Sequence, residues 1–109
     1  MRIRSILTAS LIAACAPGAA AAADSSGAQV FDAHCKSCHE APKDKQNGAP
    51  QRGDADEWKE RSGVGRPELY RRAIEGWQGY FTMPAKGGVP TLTDDEVKAA
   101  VDYLLGAGG

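Results

Sequence analysis

The chain has 109 residues, with 13 basic and 14 acidic side chains and a formal charge of −1. It has no basic excess, so nucleic acid is not an expected partner, and its length allows one small domain at most. A domain of this size commonly needs a disulfide, a metal or a cofactor to complete its core.

The first residues, "MRIRSILTASLIAACAPGAAAAADSS", have the layout of a secretory signal peptide. Arg2 and Arg4 form a basic start, and Ile6 to Ala14 is apolar but too short to span a bilayer comfortably. Ala21 and Ala23 are the small residues before a cut, so residues 1–23 are expected to leave and 24–109 to form the domain. A second reading takes Ile12-Ala13-Ala14-Cys15 as a lipoprotein signal, with Cys15 lipidated and the alanines serving as a tether. Either way the chain is expected in an oxidising periplasm, with membrane contact only if Cys15 carries lipid.

The first predicted helix runs from about Ser26 into the cysteines, with Val30 and Phe31 on its inner side. It leads into "AHCKSCHEAP", where Cys35 and Cys38 stand two residues apart and His39 follows at once. Three chemistries use such a motif. Structural zinc needs four ligands, usually as two separated pairs, and no second pair exists here. A thioredoxin-like dithiol needs a βαβ setting, and no run of this chain reads as a strand. Haem attachment uses Cys-x-x-Cys-His itself: two thiols add to the haem vinyl groups, and the next histidine is pinned beneath the iron. The third reading fits both the motif and the export signal.

A Gly/Pro-rich loop, "EAPKDKQNGAPQRG", comes next. "DADEWKER" then predicts a short helix, capped by Asp54 with Glu57 three residues on and with Trp58 as its buried candidate. "RPELYRRAIEGW" predicts another, with Pro67 at its start. Leu69, Tyr70, Ala73, Ile74 and Trp77 line its apolar side, and Gly76 is its stop. The second long loop, "GYFTMPAKGGVP", holds Met83, the one methionine after the leader. Long loops in so small a domain imply that they wrap something. The last helix, "TLTDDEVKAAVDYLLG", has Thr93 as N-cap, Glu96 completing a capping box, and Gly106 as its end. Val97, Ala100, Val101, Leu104 and Leu105 form its apolar stripe.

Haem iron needs a sixth ligand or an open position. Met83 is the candidate, because methionine sulfur is the usual partner in electron-carrying c-type cytochromes and Pro84 fixes the loop beside it. The plainer reading of Met83 is a flexible core filler. His34 directly precedes Cys35 and cannot reach the opposite haem face. Lys86 is a conceivable replacement ligand at high pH. Lys36 and Ala85 to Gly87 are expected at the haem rim. Lys43, Lys45 and Lys86 would give a positive patch there, or simply a solvated surface. Trp58 and Tyr80 are either propionate contacts or packing residues.

With these residues in place, the chain resembles the class I c-type cytochromes, and most closely the bacterial cytochrome c5 group. Gly27 and Phe31 match the family's N-terminal helix, which crosses the C-terminal helix near Tyr103 and Leu104. "CKSCH", "GAPQRGD", "MPAKGG" and "LTDDEVKAAVDYL" follow the c5 pattern. The resemblance implies an all-α fold of about four helices wrapped around one covalently bound haem c. It also implies that the carbonyl of Pro50 accepts a hydrogen bond from His39. The extra cysteine pair of some c5 proteins is missing. The implied function is single-electron transfer between a protein donor and acceptor by a monomer or weak dimer, without enzymatic activity. The alternatives are a haem subunit of a periplasmic dehydrogenase, or a peroxide-reducing or ligand-binding protein with a labile sixth ligand.

Overall fold

The computed structural model describes residues 26–106, so the predicted leader and Cys15 lie outside the described residues. Among the described residues, no helix is long and apolar enough to cross a membrane.

Helix α1 (Ser26–Val30) widens into a π-helical turn at Phe31–Cys35 and continues as α2 (Lys36–His39). After a 3₁₀ turn at Lys43–Lys45 come α3 (Ala55–Arg61), a second 3₁₀ turn at Ser62–Val64, and α4 (Arg66–Glu75). Two short strands, β1 (Trp77–Gln78) and β2 (Thr82–Met83), pair antiparallel. A 3₁₀ turn at Ala85–Gly88 leads to the last helix, α5 (Asp94–Leu104). The fold is helical, as expected, but the expectation of no strand was wrong. Two residues per strand are too few to show an alternating pattern.

The core forms where the two ends of the chain meet. A Cβ at Gly27 would lie 2.6 Å from the carbonyl oxygen of Ala99, so only glycine lets α1 approach α5 this closely. One turn later Phe31 is fully buried, and its ring meets Tyr103 at 5.2 Å between centroids, tilted by 58°. From α5, Val97, Ala100, Val101 and Leu104 complete the buried cluster; Leu105 lies past the helix end and is half-buried. The capping box at Thr93 and Glu96 is made in both directions. At Asp54 only half of the expected box forms. Asp54 accepts from the Glu57 amide, while the Glu57 carboxylate turns to Arg61 instead.

Helix α4 ends at Gly76, whose φ of 88° is in the left-handed region. Trp77, expected on the apolar stripe of this helix, therefore falls beyond the stop and is 42% exposed. The Arg72 guanidinium sits over its ring at 4.3 Å. Arg66 and the Tyr70 hydroxyl both donate to Asp102 and so tie α4 to α5.

On the outer face of α4, Glu68 accepts hydrogen bonds from Arg71 and Arg72, which hold its carboxyl at about 2 against an ordinary 4.5. A carboxylate depressed by folding stabilises the native state above its unfolded value, and that contribution is lost as pH falls through the folded value. The melting-temperature difference between wild type and Glu68→Gln is therefore expected to be constant above about pH 5, to shrink below it, and to vanish near pH 2. Melts across that range check this. A difference unchanged at pH 2 would count against the pairing.

Candidate functional site

The helices, the loop after the cysteine motif and the hairpin enclose one largely apolar cavity of about 370 Å³. Cys35, Cys38, His39, Pro50 and Met83 all border it. Five residues from three separate stretches of sequence thus meet in one place.

His39 is 9% exposed and is the buried polar residue among those described. Its Nδ1 lies 2.8 Å from the carbonyl oxygen of Pro50. A carbonyl can only accept, so Nδ1 carries the proton and Nε2 is left with a free lone pair. Burial lowers the His39 pKa, and the Pro50 bond partly opposes this. Burial therefore favours the neutral ring, the form that ligates metal.

Pro50 is held in place by a residue that sequence reasoning missed. The Gln51 side chain donates to the carbonyls of Cys38 (2.7 Å) and Ala49 (2.8 Å), and accepts from the Ala41 amide (2.8 Å). Its own carbonyl accepts from the Trp58 indole at 2.8 Å. Gln51 thereby clamps the loop onto α2. No sequence signal marks a glutamine for this task.

The two thiols differ in surroundings. Cys35 is half-buried and its pKa is raised by burial and by the charge of Cys38, while Cys38 is exposed. Met83 is half-buried, and its backbone pairs with Trp77 across the hairpin. Gly76 is needed here for two reasons. Its φ is positive, and a Cβ would lie 2.9 Å from the Met83 carbonyl oxygen and 3.0 Å from the Ala85 nitrogen. At the hairpin tip, the Phe81 ring covers Gly48, where a Cβ would be 2.3 Å from it. This contact joins the two long loops.

The other candidate side chains lie in varied settings. His34 is exposed and is not part of the cavity wall. The Lys86 ammonium donates to the Leu92 carbonyl at 2.7 Å and pairs with Asp94 at 3.1 Å, so it adds little to a positive patch. Lys36, Lys43 and Lys45 are exposed. Trp58 borders the cavity, but its N–H is already bound to Gln51, so it offers carbon surface. Tyr80 is 96% exposed and packs edge-on against Phe81 at 4.8 Å. Arg61 and Arg72, which had no expected role, also reach the cavity, each bonded to an acid of its own helix.

Among the described residues, no three His, Cys, Asp or Glu side chains converge to hold a bare metal ion. The cysteine motif lies in a helix, not beside a sheet as a thioredoxin-like dithiol would. Two thiols, an imidazole lone pair and a thioether around apolar walls suit an iron porphyrin.

Comparison with known proteins agrees. A family model described as cytochrome c oxidase, cbb3-type, subunit III matches residues 22–104. The chain is 39% identical over 84 residues to cytochrome c-555 of Prosthecochloris aestuarii, covering 72% of this chain and 82% of that protein. It is 35% identical over 96 residues to cytochrome c5 of Ectopseudomonas mendocina, covering 86% and 99% respectively. A chain from the crystal structure of an electron transfer complex of nitrite reductase with cytochrome c superposes with a TM-score of 0.61 at 25% identity, over 77% of this chain and 95% of that one.

Proposed function

This chain belongs to the class I c-type cytochromes, and from that premise we propose that it shuttles single electrons in the periplasm, with His39 and Met83 as the residues that would hold its haem iron. The prosthetic group of the family is covalently attached haem c, and the task is electron transfer, not catalysis on a substrate. Residues 1–23 are proposed as the export leader and 24–109 as the domain.

The observation that carries the reading is the His39–Pro50 bond at a cavity that the two cysteines and Met83 also border. Haem supplies one-electron chemistry at its iron. Cys35 and Cys38 would hold it through thioethers, which fixes its place against His39. The Pro50 carbonyl fixes the tautomer and orientation of the imidazole. The Met83 thioether would favour the ferrous state and so raise the potential. The apolar walls act in the same direction, because a low dielectric disfavours the extra charge of ferric iron.

The structural neighbour was solved in an electron transfer complex with nitrite reductase. That supports redox proteins as donor and acceptor for this chain as well. The test is an optical spectrum of the exported protein, oxidised and reduced, with carbon monoxide added last. A low-spin covalent haem with a weak far-red sulfur-to-iron band and no carbon monoxide adduct is expected. Met83→Ala is expected to lose the band and bind carbon monoxide. An adduct in the wild type would count against Met83 as a firm ligand.

A further inference from the structure

Lys86 occupies a backbone conformation that suits glycine. Its φ of 53° and ψ of 32° are left-handed, and Gly87 and Gly88 follow with φ of 64° and 85°. A non-glycine side chain in this region is disfavoured and persists where the surrounding structure holds it there. Here the holding contacts come from the side chain itself. Lys86 borders the cavity, and its ammonium reaches forward to the Leu92 carbonyl and the Asp94 carboxylate. Leu92 is a buried core residue, and Asp94 opens α5. The segment also packs against α4, and its backbone hydrogen bonds on the way to α5 are short turn bonds: Gly87 to Pro84, Val89 to Lys86 and Leu92 to Val89. The lysine therefore ties the Met83 loop to the start of α5 and to the core.

Building on the Met83 ligation proposed above, we propose that Lys86 is a positioning residue that clamps the Met83 loop shut and so slows release of the methionine from iron. The clamp uses one charge-assisted hydrogen bond to a backbone carbonyl, backed by a partly exposed ion pair. It acts through the loop, since the ammonium is engaged by the Leu92 carbonyl and the Asp94 carboxylate.

The test measures how fast imidazole binds to the ferric holoprotein, since entry waits for the methionine to leave. Lys86→Met keeps a stem of the same length but removes the donor that holds the left-handed backbone. It is expected to speed imidazole binding about tenfold, as for loss of one charge-assisted hydrogen bond. Lys86→Arg, which can still donate, is expected to restore the slow rate. Tyr70→Phe, which loses the Asp102 bond far from the loop, is expected to leave the rate unchanged. If Lys86→Met yields too little protein, Asp94→Asn removes the ion pair alone and is expected to accelerate binding about threefold. A wild-type rate in Lys86→Met, or equal acceleration in Tyr70→Phe, would overturn the clamp while Met83 ligation stood. A wild type with no far-red band would remove the ligation reading, and the clamp with it.

Discussion

A chain with serine at both Cys35 and Cys38, purified free of haem, is expected to be largely unfolded at 25 °C. The reason lies in the cavity wall. Val30, Phe31, Val97, Ala100, Val101 and Leu104 belong to the buried core and also face the cavity. Without haem the cavity they border would stand empty or fill with water. At about 24 cal/mol per Å³, a cavity of 370 Å³ would cost up to about 9 kcal/mol. The open side admits water, so this is an upper bound. A domain of about 80 residues has a net stability on the order of 4–12 kcal/mol, which leaves little margin. Far-ultraviolet circular dichroism and a thermal melt decide the matter. A haem-free variant with full helical signal and a cooperative melt would show that the protein shell suffices alone.

The second large effect is expected at Phe31. Its side chain is fully buried, it packs on Tyr103, and it stands at the π turn where α1 passes into the haem motif. Phe31→Ala in the holoprotein is expected to cost about 3–5 kcal/mol, the usual range for a buried phenylalanine. For a domain this small, that is roughly 15–30 °C in melting temperature. A denaturant titration followed by both haem absorbance and circular dichroism checks the figure. A loss below about 1 kcal/mol would mean that the helix crossing tolerates collapse around the missing ring.

The helices were legible in the sequence because their signals are local. The capping box at Thr93 and Glu96, Pro67 at the start of α4 and Gly106 after α5 each act within one turn, and each is found in the structure. The Cys-x-x-Cys-His motif was legible because attachment chemistry demands that spacing. The remainder depended on contacts between distant residues. The π turn at Phe31–Cys35 differs from an α turn by one residue per hydrogen bond, and no side-chain pattern records that difference. Trp77 kept helical spacing with Ile74, but the left-handed Gly76 between them turned it into a strand. Gln51 and Lys86 take their roles from carbonyls that only the folded loops bring within reach.

The close crossing at Gly27 also bears on the order of events in time. Its partner, Ala99, lies roughly seventy residues further along the chain, and such distant contacts form only after a long loop has closed. No N-terminal portion can complete the burial of Phe31 by itself, because Tyr103, on which its ring packs, belongs to the final helix. During synthesis the two thiols therefore stay on an open chain until residue 104 has emerged. Throughout that interval both sulfurs remain accessible, before the last helix closes over the N-terminal one.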